Sequence, residues 1–400
     1  MQALRYSRSR SLRLRAGDDN AGGTPSHCCP VRHALHWPGG GPARRLAGRS
    51  NTAFPARGDA MTTGPGPPPQ QPQVVDAPAL DGGEWLQGGP IDVRGLGKPL
   101  LVDFWDYTCL NCLRTLPYLA EWHRRYEEHG LTVVGVHTPE FDFARNPDRV
   151  REAIADLEIP YPVVLDAEFN IWRAYANRFW PSKYFVDREG KIRAQHAGEG
   201  AYGESEQVVQ ALLREQEGFD AELPAPMEPL RPEDGPGAVC YRVTPELYCG
   251  YSRGIIGNLG GPQPDRPHRY SDPGKHVEGT LYLDGHWMVS GENAARPFGA
   301  QGPSRMTLTY MAADVNLVMH PPIMGGSGEA RVLLDGEPPA GDAAGEDAEG
   351  GVVTVDKPRM YRLVRGVDVE RHTLTVETES DGLATFAFTF TSCVAPPPEA

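Results

Sequence analysis

The sequence has no run of about 18 apolar residues, the length a helix needs to cross a bilayer. Residues 1–60 also lack the apolar segment of roughly 7–15 residues that a secretory signal requires. Cysteine is scarce and odd in number: Cys28, Cys29, Cys109, Cys112, Cys240, Cys249 and Cys393. So few in 400 residues exclude a small disulfide-stapled scaffold. Only Cys109 and Cys112 have the CxxC spacing, and no second CxxC or nearby CxxH completes a four-ligand zinc site. Positive charge is confined to one end. Residues 1–60 carry ten arginines against three aspartates, so with a total of −14 the remainder holds −21. An acidic body argues against nucleic acid as a partner. No repeat appears at a solenoid or propeller period.

What is present divides the chain into four parts and a short tail. Residues 1–82 read as a disordered extension, Arg-rich and then Pro-rich, with Met61 as an alternative initiator. The pair Cys28–Cys29 with His27, His33 and His36 reads as chance within that arm, so no metal is expected. Residues 83–216 alternate strand-like and helix-like segments, which fits a mixed sheet covered by helices on both faces. Residues 217–238 have the Pro/Gly composition of a linker. Residues 239–394 contain short alternating strands, among them Leu281–Leu283, Met306–Tyr310, Val315–Met319 and Phe386–Phe390, which predict an antiparallel β-sandwich of jelly-roll type. Residues 395–400 form the tail.

The chemistry concentrates in Leu100–Pro117. The run Leu100 to Trp105 suits a buried strand, broken only by Asp103. Leu110, Leu113, Leu116, Leu119, Trp122 and Tyr126 then recur at helical spacing, with Gly130 as the stop. Two thiols therefore lie on the first turn of a helix that follows a strand. Free amides and the positive end of the helix dipole favour a thiolate there. Cys109 is the expected attacking sulfur, and Cys112, three residues on, resolves the mixed disulfide. A charged Asp103 is costly to bury, so a raised pKa and a functional or hydrogen-bonded role are expected. Cys240 and Cys249 read as ordinary thiols, their pairing left open for an oxidising compartment.

The stretch Asp103 to Pro117 resembles the active site of the thioredoxin superfamily. Tyr107 to Leu119, with Gly135-Val136-His137-Thr138-Pro139-Glu140-Phe141 and Trp180-Pro181-Ser182-Lys183-Tyr184, is similar to the TlpA-like branch and to the soluble part of DipZ-type cytochrome c biogenesis proteins. The likeness covers about residues 85–215, and the last third resembles the β-rich domain that follows in DipZ-type chains. The resemblance implies that Asp103 relays protons to the resolving thiol. It also implies that Pro181 is cis, that the backbone at Trp180 positions substrate, and that Glu140 modulates thiol protonation. Thr108 replaces the usual Trp before the first cysteine, and Leu110-Asn111 replaces the common Gly-Pro between the thiols.

The expectation is a cytoplasmic thiol–disulfide oxidoreductase without cofactor. It would act on disulfide- or dithiol-containing proteins and draw electrons from a separate reductase, of which thioredoxin reductase is one. Two other readings stand beside it: a thiol peroxidase, or a non-enzymatic binding protein that uses its β-sandwich.

Overall fold

The computed structural model describes residues 75–394. The first domain is a seven-stranded sheet in the order β1-β7-β6-β3-β4-β5-β2. Its strands are β1 (Val75–Asp76), β2 (Glu84–Gln87), β3 (Leu100–Trp105), β4 (Thr132–His137), β5 (Val163–Leu165), β6 (Ser182–Val186) and β7 (Lys191–Ala197). Its helices are α1 (Leu110–Tyr126), α2 (Pro147–Asp156), α3 (Asn170–Ala174) and α4 (Tyr202–Arg214). β3 runs parallel to β4 and antiparallel to β6.

All six residues of β3 are buried because both faces are covered. Leu101 and Trp105 pack with Cys112, Leu116, Leu119 and Trp122 of α1 and with α4. Leu100, Val102 and Phe104 pack on the other face with Ile171 of α3 and Tyr175. Side chains alternate along a strand, so Asp103 lies on the α1 face.

This domain starts earlier than Gly83. Val75 and Asp76 pair with Ile192 and Lys191, and Ala77 and Leu80 are buried in the α3-side core. The Pro-rich segment 217–238 is also not a free spacer. Phe219, Leu223 and Met227 pack on the α1/α4 core. Met227 N–H donates to Glu206 at 2.8 Å, and Leu230 N–H donates to the Tyr118 hydroxyl at 2.9 Å. Proline spacing marks the turns, but those apolar residues tie the segment down.

The second domain is all β. Its strands are β8 (Val239–Cys240), β9 (Leu247–Tyr248), β10 (Pro267–Tyr270), β11 (Leu281–Val289), β12 (Ala294–Ala295), β13 (Ser304–Met311), β14 (Asp314–His320), β15 (Gly328–Leu334), β16 (Val352–Val355), β17 (Arg359–Val364), β18 (Arg371–Thr378), β19 (Ala384–Thr391) and β20 (Cys393–Val394). The order β16-β15-β18-β13-β11-β12-β19-β14-β17 forms a sheet that folds over one apolar core. Long β11 serves both halves: Leu281–Asp284 pair with β13, while Met288 and Val289 pair with β12. β8 and β20 form a separate two-stranded ribbon.

The domains meet beside the redox helix. Leu110, the residue after Cys109, belongs to a cluster with Phe141, Val318, Met360 and Phe386. Phe386 meets Phe141 and Phe143 edge-on, with ring centroids 5.2 and 4.8 Å away. Lys357 pairs with Asp156, and Arg149 contacts His320 at 2.8 Å.

Candidate active site

β3 delivers the chain to a tightly clipped loop. The Asp106 carboxylate is fully buried and accepts Thr108 N–H at 2.6 Å, Thr108 O–H at 2.5 Å and Glu140 N–H at 2.9 Å. Cys109 N–H donates to the Asp106 carbonyl at 3.2 Å. Cys109 is thereby held as the N-cap of α1, and its sulfur accepts the Cys112 N–H at 3.2 Å. The first turn has no acidic residue to offset the helix dipole. Cys109 and Cys112 form a disulfide with Cα atoms 5.2 Å apart. Cys109 keeps 8% exposure while Cys112 has none, so the Cys112 sulfur is closed to solvent.

Asp106 is therefore the anchor of the loop. Burial holds its pKa above the ordinary value, against the three donated hydrogen bonds. His137 Nε2 lies 3.6 Å from it, and burial pushes that imidazole down to about 3, so it is neutral at physiological pH.

Asp103 is fully buried beneath α1, and neither carboxyl oxygen has a hydrogen-bond partner. Burial raises its pKa to about 7, with Lys183 opposing the rise. Lys183 is directly opposite Asp103 on β6 and is itself fully buried. Its ammonium donates to the Gly198 carbonyl at 3.1 Å. Burial lowers it to about 8, against the pull of Asp103 and Glu199. Sequence reasoning passes over Lys183 because a strand lysine ordinarily reads as a surface residue.

The Trp180–Pro181 peptide is cis. Trp180 packs on the core that contains both cysteines, lies tilted against Trp172 with ring centroids 4.2 Å apart and donates its indole N–H to the Thr138 carbonyl at 2.9 Å. Glu140 has a different place from the others: it points at the second domain. Its carboxylate accepts the Tyr248 hydroxyl at 2.9 Å and pairs with Arg253 at 3.0 Å. Burial, then the Asp106 charge, raises its pKa, with Arg253 and Tyr248 opposing. Tyr248 lies 108 residues away and Arg253 further still, beyond the reach of local pattern.

The remaining cysteines require a correction. Cys240 is bonded to Cys393 across β8 and β20, and neither is an ordinary thiol. Cys249 stays free, buried against Met306, its thiol pushed up to about 12 by burial. Among the described residues no cluster of His, Cys, Asp and Glu is arranged to hold a metal. The His27-Cys28-Cys29 group lies outside them.

A strand, a CxxC at the mouth of a helix, a buried carboxylate beneath it and a cis-proline on the neighbouring strand define a thioredoxin-like dithiol–disulfide site. Comparison with known proteins agrees. Residues 84–195 match the AhpC/TSA family, and residues 244–391 match the family described as thioredoxin like C-terminal domain. The chain is 33% identical over 302 residues to Protein DipZ of Mycobacterium bovis, an alignment covering 75% of this chain and 40% of DipZ. It is 30% identical over 134 residues to the thiol-disulfide oxidoreductase YkuV of Bacillus subtilis, covering 33% of this chain and 90% of YkuV. A thioredoxin-like protein solved in solution in its oxidized form is 30% identical, with 36% of this chain and 97% of that one aligned at a TM-score of 0.33. The protein belongs to the thioredoxin-like thiol–disulfide oxidoreductases, and it spans 40% of the length of DipZ.

Proposed function

We propose that the protein exchanges disulfides with protein substrates through Cys109 and Cys112. The observation that carries this reading is the unequal exposure of two bonded cysteines at one helix mouth. In the reductive direction the Cys109 thiolate attacks a substrate disulfide, forms an intermolecular S–S bond and releases one substrate thiolate. Cys112 gives its proton to Asp103 and attacks Cys109. The second substrate thiolate leaves, the substrate gains two electrons, and Cys109–Cys112 becomes oxidised. A separate dithiol reductant restores the pair. Run backwards, the same steps oxidise a substrate.

The segment at Trp180 and Pro181 is the expected seat for the substrate backbone. Asp106 occupies the position, three residues before the reactive cysteine, where peroxiredoxins place a threonine, so peroxide reduction is not proposed.

Reduction of insulin, with dithiothreitol as donor, tests the assignment. Cys109→Ser should abolish turnover, and Cys112→Ser should accumulate mixed disulfides that dithiothreitol releases. Turnover retained without Cys109 would overturn the reading.

The compartment deserves a second reading on separate grounds. A disulfide joining residues 153 apart favours an oxidising compartment over the cytoplasm. Acid-quenched alkylation of cells should leave Cys240 and Cys393 unlabelled. Labelling of both would return the protein to the cytoplasm.

A further inference from the structure

We propose that the cavity at the junction of the two domains is a subsite for a carboxylate carried by the disulfide substrate, with Arg149 as the residue that selects for it. The inference rests on the exchange reading above and names the substrate chemistry recognised beside Cys109.

The cavity holds about 240 Å³ and takes its walls from both domains. The first supplies Tyr107, Leu113 and Arg149, and the second supplies Lys357, Arg359 and Met360. Tyr107 stands two residues before the reactive cysteine. Leu113 follows it by one helical turn, its N–H donating to the Cys109 carbonyl at 3.0 Å, and residues four apart share a helix face. The cavity therefore borders the redox helix on the side that carries Cys109. Drug-sized sites run to roughly 300–1,000 Å³, so this one suits a side chain or a small group.

Most of the charge on the walls cancels locally. Lys357 pairs with Asp156 and, at 3.6 Å, with Glu152. Arg359 pairs with Asp347 at 2.8 Å, and Arg362 pairs with Glu346. Arg149 is different: among the described residues no carboxylate oxygen lies within 4.0 Å of its guanidinium. Its contact is His320 of β14, at 2.8 Å. His320 Nδ1 lies 2.6 Å from the Pro321 carbonyl, which can only accept, so Nδ1 carries the proton and Nε2 accepts from Arg149. Burial holds that imidazole below its ordinary pKa, so it stays neutral at physiological pH. His320 thus aims the guanidinium without cancelling its charge.

A second donor stands beside the first. The Tyr107 ring stacks on His137 with centroids 5.5 Å apart, and its buried hydroxyl has no hydrogen-bond partner. Burial, then the Asp106 charge, raises its pKa, and Arg149 opposes the rise, which places the hydroxyl within reach of that guanidinium. A cation without an anion and a donor without an acceptor lack the same thing, a negatively charged oxygen. A planar carboxylate matches the guanidinium fork. A phosphate dianion would stand among four carboxylates with one uncompensated cation to hold it. Leu113 and Met360 offer apolar surface to the methylene stem of an acidic side chain.

The test is the second-order rate constant for oxidation of the reduced full chain, with no other thiol present. One arm uses peptide disulfides that differ only by Glu or Gln, at a position walked outward from the cystine. The other uses 3,3′-dithiodipropionate against its diamide. The wild-type protein should favour the carboxylate by about tenfold, the low end for a hydrogen bond to a charged group. A preference in the peptide arm assigns the carboxylate to a protein side chain, and one in the small-disulfide arm alone assigns it to a low-molecular-weight substrate. Arg149→Met should bring the ratio to about one. No preference in either arm, or a ratio that survives in Arg149→Met, overturns the inference. Should Arg149→Met fail to fold, Tyr107→Phe decides: it should reduce the ratio, and an unmoved ratio overturns the inference. The Gln peptide tests the exchange reading by itself. If it leaves the wild-type protein reduced, the Cys109 assignment fails; if it reacts and no ratio appears, only the subsite fails.

Discussion

The described residues contain two disulfides of opposite character. Cys109–Cys112 closes a loop of three residues at a helix mouth, with a raised carboxyl and a depressed ammonium buried below it. Cys240–Cys393 joins the first and last strands of the β domain across 153 residues, on a ribbon outside the main sheet. The first restrains about a third as much chain entropy as the second on loop-closure grounds, but sits where protons are managed. The second restrains a great deal. The same covalent bond is placed for chemistry in one domain and for closure in the other.

The largest expected effects break this comparison outright. Cys109→Ser should remove all insulin reduction while lowering the unfolding free energy by only about 1.5–2 kcal/mol, the loop-closure value for so short a loop. The paired substitution Cys240→Ala with Cys393→Ala should do the reverse. Its loss is about 2–5 kcal/mol on loop-closure grounds, read by denaturant unfolding, with reductase turnover retained. If the double variant lost turnover at native conditions, the division between chemistry and closure would fail.

How far this division can be seen in the sequence depends on the range of the signal. β3, the CxxC and α1 are legible because each is local: an apolar run, a spacing of three and a helical period ending at Gly130, whose φ of 99° supplies the left-handed stop. Asp103 stands out by being polar inside that run. Lys183 does not, because its meaning comes from register with Asp103, and register between β3 and β6 is a tertiary fact. Cys240 finds Cys393 only once β8 meets β20. Strands such as β10 and β17 escape pattern reading because exposed His268, Arg269 and Arg362 interrupt the apolar alternation. Phe219, Leu223 and Met227, spaced by four, were the available sign that the Pro-rich segment is anchored.

A third prediction sharpens the comparison where the domains touch. Phe386 is 5% exposed between Phe141 and Phe143, so Phe386→Ala leaves a cavity at the joint beside Leu110. Large-to-small aromatic substitutions in such sites cost about 3 kcal/mol. The expected result is earlier unfolding together with faster proteolysis of segment 217–238. Unchanged proteolysis would mean that the β domain docks without this aromatic contact.

The smallest effect concerns Glu140, which links the redox loop to the β domain through Tyr248 and Arg253. Its pKa is raised, chiefly by burial and then by Asp106. A carboxyl whose folded pKa lies above its unfolded value contributes stability that is complete below the unfolded value of 4.5 and is lost as pH rises through the folded one. Glu140→Gln cannot ionise, so it should not lose that contribution. The difference in unfolding free energy, variant minus wild type, should therefore rise from pH 4 to pH 8, with Arg253 limiting its size. The Glu140 charge also helps to hold the Glu246 pKa up, so its removal in the variant adds to the rise in the same direction. A difference that falls with pH would mean that Arg253 outweighs burial, and that Glu140 is held ionised as one half of an ion pair between the domains.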